Sequence, residues 1–238
     1  VSTTAGFGLA MADSHTLPPA KVSLSRFLTK ILTGKNAIAA HAVIQRIKFF
    51  MPMLIAYQGR PGAYSESAAY MLFGSDIETI GVDSFEEIYQ MVHCETVQGG
   101  VIPIENSTAG SILDNYDLLL RWRLPIVGEV KLRIEHVLMG CVGSSVDTLR
   151  EVLSHPQALA QCSHFFETHP QIRRTAFFDT AGAAEEIAHR GDPSVGAIAS
   201  AAAARKNELT ILISGLENHP GTNFTRFFAI RKTAPQLG

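Results

Sequence analysis

At 238 residues, with 46% hydrophobic and 18% charged side chains, the chain has the length for one globular domain or for two lobes sharing one chain. A net charge of −2 leaves no overall positive field to hold nucleic acid or an anionic membrane. The longest apolar stretch near the front, residues 49–57, is broken by Pro52 and is too short to span a bilayer.

Cys94, Cys141 and Cys162 form an odd set without CxxC spacing, the pattern of reduced thiols in a cytoplasm-like compartment. Nine histidines include no HExxH or HxH arrangement, and His164 and His169 stand without a second ligand pair, so no metal site is expected. Residues 1–53 hold six basic side chains against one acid, Asp13. Around SRFLTKIL they read either as an organellar targeting peptide or as a poorly ordered leader before a start at Met51 or Met53. The leader is the preferred reading, with a cytoplasmic location ahead of a plastid one. Residues 233–238 read as a tail.

From Leu54 onward, strand and helix patterns alternate. LIAYQG (54–59) precedes AYSESAAYMLF, DIETIGV (76–82) precedes FEEIYQMV, and GGVIPIEN (99–106) precedes SILDNYDLLL. Residues 124–140 are too long for one ordinary strand and predict a long strand or two in tandem, able to carry the chain from one sheet to another. The rhythm resumes with LREVLSH before a helix over 156–169, RRTAFFD before TAGAAEEIAHR, and VGAIAS before AAAARKN. LTILISGL (209–216) carries the chain back, and the strand ending in FFAI rejoins the first sheet. The expected fold is therefore α/β with largely parallel sheets and a double crossover. Lobe 1 comprises 54–127 and 214–232, lobe 2 comprises 128–213, and a cleft lies between them.

In open parallel sheets, ligands bind beyond the carboxyl ends of the strands, and polar residues collect there in this chain. After the first strand, QGRPGAYS (58–65) supplies glycines for close backbone approach and a helix N-terminus with free N–H groups, although it is neither a Walker A loop nor GxGxxG. Glu105 and Asn106 directly follow the apolar VIPI, where a carboxylate costs desolvation unless something meets it. Ser107, Thr108 or Ser111 is a candidate helix cap, Ser111 pairing with Asp114. Pro156 suits a first helical position, so Ser154 or His155 caps that helix and Gln157 lies in its first turn. Asp179, ahead of Thr180-Ala181-Gly182, reads as a plain cap or as a ligand. Asn223, Thr225 and Arg226 stand at the mouth of the last strand. Together these groups suit a small polar anion rather than a polymer.

In order and spacing, GRPGAYSE, PIENSTAGSI, NYDLLL, GEV, SHPQALAQC, DTAGAA, AIAS and NFTRFFAI resemble the catalytic domain of prephenate dehydratase and of its relative arogenate dehydratase, over roughly residues 54–232. The resemblance implies a two-lobed α/β cleft similar to type 2 periplasmic binding proteins. It implies removal of water and carbon dioxide from prephenate without metal or organic cofactor, and a homodimer. It implies Thr225 as the principal catalytic hydroxyl, with Glu105 or Asp179 relaying a proton. Asn106, Ser107, Ser154, Gln157, Thr180, Asn223 and Arg226 would bind substrate, Arg226 by gripping a carboxylate of the substrate or of the site. Family members commonly continue into an ACT domain that binds phenylalanine. With 12 residues after Arg226, that domain is expected to be missing, and feedback through it is in doubt. KNELT and ENHPGTN depart from the family's usual sequence. Two alternatives stay open: arogenate as substrate, and a non-catalytic small-anion-binding module on the same frame.

Overall fold

A computed structural model describes residues 52–234, so the expected leader, apart from Pro52 and Met53, and the end of the tail lie outside the described residues. The chain first lays down β1 (Met53–Gln58), α1 (Tyr64–Phe73), β2 (Ile77–Val82), α2 (Phe85–His93) and β3 (Gly99–Asn106). The two-residue β4 (Gly110–Ser111), α3 (Leu113–Trp122) and β5 (Ile126–Arg133) follow. A second group comprises β6 (Val137–Gly140), β7 (Glu151–Ser154), α4 (Pro156–Gln161), α5 (Ser163–Thr168) and β8 (Arg173–Ala176). It continues with α6 (Thr180–Arg190), β9 (Val195–Ala199), α7 (Ala201–Lys206) and β10 (Thr210–Ser214), before the chain returns as β11 (Phe224–Ile230).

Two sheets result, ordered β2-β1-β3-β11-β5 with β4 beside β3, and β10-β6-β9-β7-β8. The chain therefore crosses between them twice, through residues 134–136 and again through 215–223. The long apolar segment 124–140 is two strands in tandem, one in each sheet. The expected lobe boundary at 127/128 is corrected by this pairing. β5 is bonded to β11 from Ile126 to Arg133, which keeps it in the first sheet and moves the crossover beyond Arg133.

The sheets are mixed rather than largely parallel. β1 runs parallel to β2 and β3, and β7 to β8 and β9. β11 runs antiparallel to β3 and β5, and β6 to β9 and β10. The reason is topological: a strand arriving from the other lobe enters at the cleft and must run against strands whose carboxyl ends point there.

Each sheet is covered by helices on both faces, which is why its central strands are apolar on both sides. In β3 every residue but Glu105 is buried. Ile88, Tyr89 and Val92 of α2 pack with Ile102, Ile104 and Phe228 on one face, while Ala68 and Ala69 of α1 pack with Ile55, Val101 and Phe227 on the other. In the second lobe, Ala183, Ala184 and Ile187 of α6 meet Met139 and Leu153, and Leu159, Phe165 and Phe166 meet Leu138, Val152 and Ile198. The helix expected over 156–169 is broken into α4 and α5 at Cys162, whose backbone leaves helical geometry while its thiol stays buried. No helix among the described residues is long and apolar enough to cross a membrane.

The lobes are latched at Gly62. Its φ is +91°, a conformation that costs glycine little and other residues more. Its carbonyl accepts from the Ser200 hydroxyl at 2.6 Å, and its N–H donates to Glu66 Oε2 at 2.7 Å. A Cβ at this position would lie 2.4 Å from Ala203 Cα, which is backbone and cannot rotate away. Gly62→Ala should therefore lower stability by about 2–4 kcal/mol through strain and overpacking, measured by urea denaturation. A wild-type midpoint would show that the latch yields freely.

Candidate active site

Between the lobes, beyond the ends of β1 and β3, lies a cavity of about 380 Å³. Gln58, Tyr64, Ser65, Asn106 and Thr225 line it from the first lobe, Asn223 from the returning crossover, and Gln157, Gln161, Asp179 and Thr180 from the second lobe. Phe85, Pro103, Ile112, Ile134, Phe178 and Phe227 supply apolar wall. Neither lysine nor arginine is among its described lining residues.

Six of the ten expected site residues meet here: Thr225, Asp179, Asn106, Gln157, Thr180 and Asn223. The other four do not line the cavity. Glu105 and Arg226 are partners on the opposite face of the sheet, because neighbours along a strand point to opposite sides. Arg226 lies 3.8 Å from Glu105 and 3.2 Å from Glu129, all half-exposed, and its guanidinium sits over the Phe228 ring. Such exposed pairs contribute little energy. Ser107 is exposed and ties its loop to β11, donating to Thr222 O at 2.7 Å and accepting from Phe224 N–H at 2.9 Å. Ser154 is fully buried and donates to Ile198 O at 2.5 Å, so its hydroxyl is spent joining β7 to β9. Ser111 does not cap α3, whose cap position is Ile112. His155 caps α4, accepting from Gln157 N–H at 3.3 Å.

A β-bulge aims Asn106. Along β3, Arg226 pairs with Glu105 but Phe227 pairs with Pro103, which leaves Ile104 as the extra residue. Pro103 cannot donate to the ladder, so the irregularity costs little there. The inserted residue shifts the alternation, so that Pro103 and Asn106, three apart, both line the cavity. Asn106 and Thr225 then stand side by side across the β3–β11 ladder.

Hydrogen bonds fix the orientation of each amide in turn. Asn106 Oδ1 accepts from the backbone N–H groups of Thr108 at 3.0 Å and Ala109 at 2.9 Å, and from the Thr108 hydroxyl at 2.6 Å. Its Nδ2 must then face the other way, where it donates to Asn223 Oδ1 at 2.8 Å and Thr225 Oγ1 at 2.9 Å. Because Thr225 Oγ1 is an acceptor in this pair, its own proton is free to point into the cavity. Asp179 caps α6, accepting from Gly182 N–H at 2.5 Å. Burial raises its pKa above the ordinary carboxylate value, opposed by the α6 backbone N–H groups and by the Arg60 guanidinium.

Sequence reasoning missed His136 and the role of Gln161. His136, in the crossover, is buried, with Nε2 at 3.0 Å from Gln161 Oε1 and Nδ1 at 3.1 Å from the Tyr64 hydroxyl. Its backbone N–H donates to the buried carboxylate of Glu217. One signal was available: a histidine inside the apolar run IEHVLMG, at the point where the chain changes sheets.

A family model described as prephenate dehydratase matches residues 55–235. The chain belongs to this family. Arogenate dehydratase 4, chloroplastic, of Arabidopsis thaliana is 45% identical over 239 residues, an alignment covering 98% of this chain and 55% of the relative. The chain thus spans about half the length of the curated relatives it matches. Among solved structures, one described as a novel type of quorum-quenching acylase superposes with TM-score 0.70 at 36% identity, covering 78% of this chain and 66% of the other. Prephenate dehydratase from Arthrobacter aurescens, in complex with L-Phe, shares the fold with TM-score 0.71 at 22% identity, covering 78% and 62%. The expectation of a cytoplasmic location is corrected by these comparisons, since the Arabidopsis relative is named chloroplastic.

The His136 environment has a consequence for stability. Burial lowers its pKa, partly offset by the Gln161 hydrogen bond and by Glu217. The unfolded chain, titrating near 6.5, then takes up a proton before the folded one does. Its contribution is complete above that pH and is lost as pH falls towards the folded value, with a slope of up to about 1.4 kcal/mol per pH unit. His136→Gln should therefore narrow its stability gap to the wild type as pH falls below about 6.5, in denaturation curves taken across that range. A gap that stays constant with pH would contradict the buried neutral imidazole.

Proposed function

We propose that this chain catalyses the decarboxylating dehydration of prephenate, or of its amino-acid counterpart arogenate. Loss of the ring carboxylate as carbon dioxide and of the ring hydroxyl as water consumes one proton and leaves an aromatic ring. The driving force belongs to the substrate, and the protein's task is to hold the diene and help the hydroxyl leave.

Support rests chiefly on one observation: Thr225 Oγ1 accepts from Asn106, so its proton is offered to the cavity that Asp179 lines from the facing lobe. In this reading Thr225 hydrogen-bonds to the departing oxygen. An alcohol is too weak an acid to protonate that oxygen alone, so a partner must relay the proton. Asp179 serves as that partner, because burial holds it in the protonated form to higher pH. A positioned donor of this kind supplies ~10²–10⁴-fold. Ser65 and the N-terminus of α1, whose cap position Ala63 has no side-chain cap, offer hydrogen bonds to a substrate carboxylate.

The carboxylate that departs presents a different requirement, since a cation gripping it would oppose its loss. A cavity without lysine or arginine among its described lining residues suits that step. Arg226 has no part in it, being committed to Glu129 and Glu105 outside the cavity.

The name of the Arabidopsis relative supports arogenate as the substrate and a plastid as the location. Separate incubation with prephenate and with arogenate, following phenylpyruvate and phenylalanine by chromatography, distinguishes the two. Thr225→Ala should lower kcat by roughly 10²–10⁴-fold while retaining affinity for the substrate. Turnover of the variant at the wild-type rate, or a wild-type protein that binds without consuming either compound, would refute the assignment.

A further inference from the structure

The hydrogen bonds around Thr225 continue past Asn106 and cross the cleft. Each link leaves only one orientation to the next. Asn106 Oδ1 faces two backbone N–H groups, which can only donate. Asn106 Nδ2 therefore donates to Asn223 Oδ1, and Asn223 Nδ2 in turn donates to Gln161 Oε1 at 3.0 Å. Gln161 Nε2 donates to Thr108 Oγ1 at 2.6 Å, and that hydroxyl donates back to Asn106 Oδ1. The ring of bonds closes without a single donor facing a donor. Gln161 belongs to α4 in the second lobe, whereas Asn106, Thr108 and Thr225 belong to the first.

His136 supplies the remaining constraint. Its Nε2 lies 3.0 Å from Gln161 Oε1, an oxygen already identified as an acceptor, so Nε2 must carry a proton. The other nitrogen faces the Tyr64 hydroxyl at 3.1 Å, a group that also reaches Glu135 O at 2.5 Å, and the backbone N–H is held by Glu217, so the residue is tied through both ring nitrogens and its backbone.

We propose that His136 and Gln161 are positioning residues for Thr225: the imidazole Nε2–H fixes the Gln161 amide, and that amide, reaching across the cleft, holds Asn223 and Asn106 so that the Thr225 proton points at the substrate. This rests on the reading of Thr225 as the hydrogen-bond donor of the reaction. It also makes the aim of that donor depend on both lobes, because Gln161 bonds Thr108 and Asn223 from the second lobe.

The test is a double-mutant cycle on kcat with a spectroscopic arm. Gln161→Met keeps the side-chain length without hydrogen bonds, and it should lower kcat by roughly ten- to a hundredfold with little change in KM. In a Thr225→Ala background the same change should alter residual turnover by less than about twofold, because Gln161 acts through the missing hydroxyl. His136→Phe should match the loss in Gln161→Met, while His136→Gln, which restores an N–H, should recover much of it. An equal loss in both backgrounds, or full kcat in Gln161→Met, overturns the proposal. Full turnover in Thr225→Ala instead overturns the underlying reading of the site, a separate result. Nitrogen-15 spectra of the histidine rings, with His136 assigned by its absence in His136→Gln, need no turnover. They should show His136 protonated on Nε2 at neutral pH, and a ring protonated on Nδ1 alone contradicts the proposal.

Discussion

The contact on which the rest of the site depends is the one between the Asn106 amide and the Thr225 hydroxyl, neighbours across the β3–β11 ladder. Two strands placed side by side by backbone hydrogen bonding put these groups together without help from any flexible loop, which is how a rigid frame holds chemistry in place. The direction of the contact matters as much as its length. Two backbone N–H groups claim the Asn106 oxygen, so its nitrogen meets the threonine, and the threonine proton is left for whatever enters the cavity. Reversing that amide would leave the backbone N–H groups of Thr108 and Ala109 without an acceptor, at a cost of about 1–3 kcal/mol for each unsatisfied group.

The double crossover gives this contact its setting. β11 returns from the second lobe and begins at the cleft, so its first residues are at the cleft's edge and its later ones in the core. That single fact explains why polar Asn223 and Thr225 precede apolar Phe227 to Ile230. The second lobe presents the N-terminal ends of α4 and α6 to the same space, one bringing Gln157 and the other Asp179. The cavity thus draws on both lobes: the Thr225 hydroxyl lines it from one and the half-buried Asp179 carboxylate from the other.

Much of this was legible in the sequence. Alternating apolar strands and amphipathic helices gave nearly every element, the two crossovers, and the polar strand ends where Asn106, Gln157, Asp179, Thr180, Asn223 and Thr225 converge. The errors have physical causes. Placing Glu105 and Arg226 in the cleft with Asn106 and Thr225 treats adjacent residues as sharing a face, but strand alternation sends them to the outer surface once Asn106 and Thr225 turn inward. Which of Glu105 and Asn106 turns inward is decided by the bulge at Ile104, and the only local hint of it is a proline inside an otherwise central strand. Ser154 looked polar at a strand end, yet its hydroxyl is consumed by a neighbouring strand's carbonyl. His136 and Gln161 were hidden within an apolar run and a helix, because their significance lies in a network that only tertiary structure assembles. The mixed strand directions were likewise invisible to periodicity, which reads faces and not direction.

The central claim, that the Thr225 hydroxyl faces the reacting hydroxyl of the substrate inside the cleft, is tested most directly by a crystal structure of an inactive position-225 variant soaked with arogenate. The cyclohexadiene ring should lie between the lobes with its hydroxyl about 3 Å from the position of the threonine oxygen and near Asp179. A ring bound with that hydroxyl pointing away, or seated beside Arg226 on the outer face of the sheet, would contradict it.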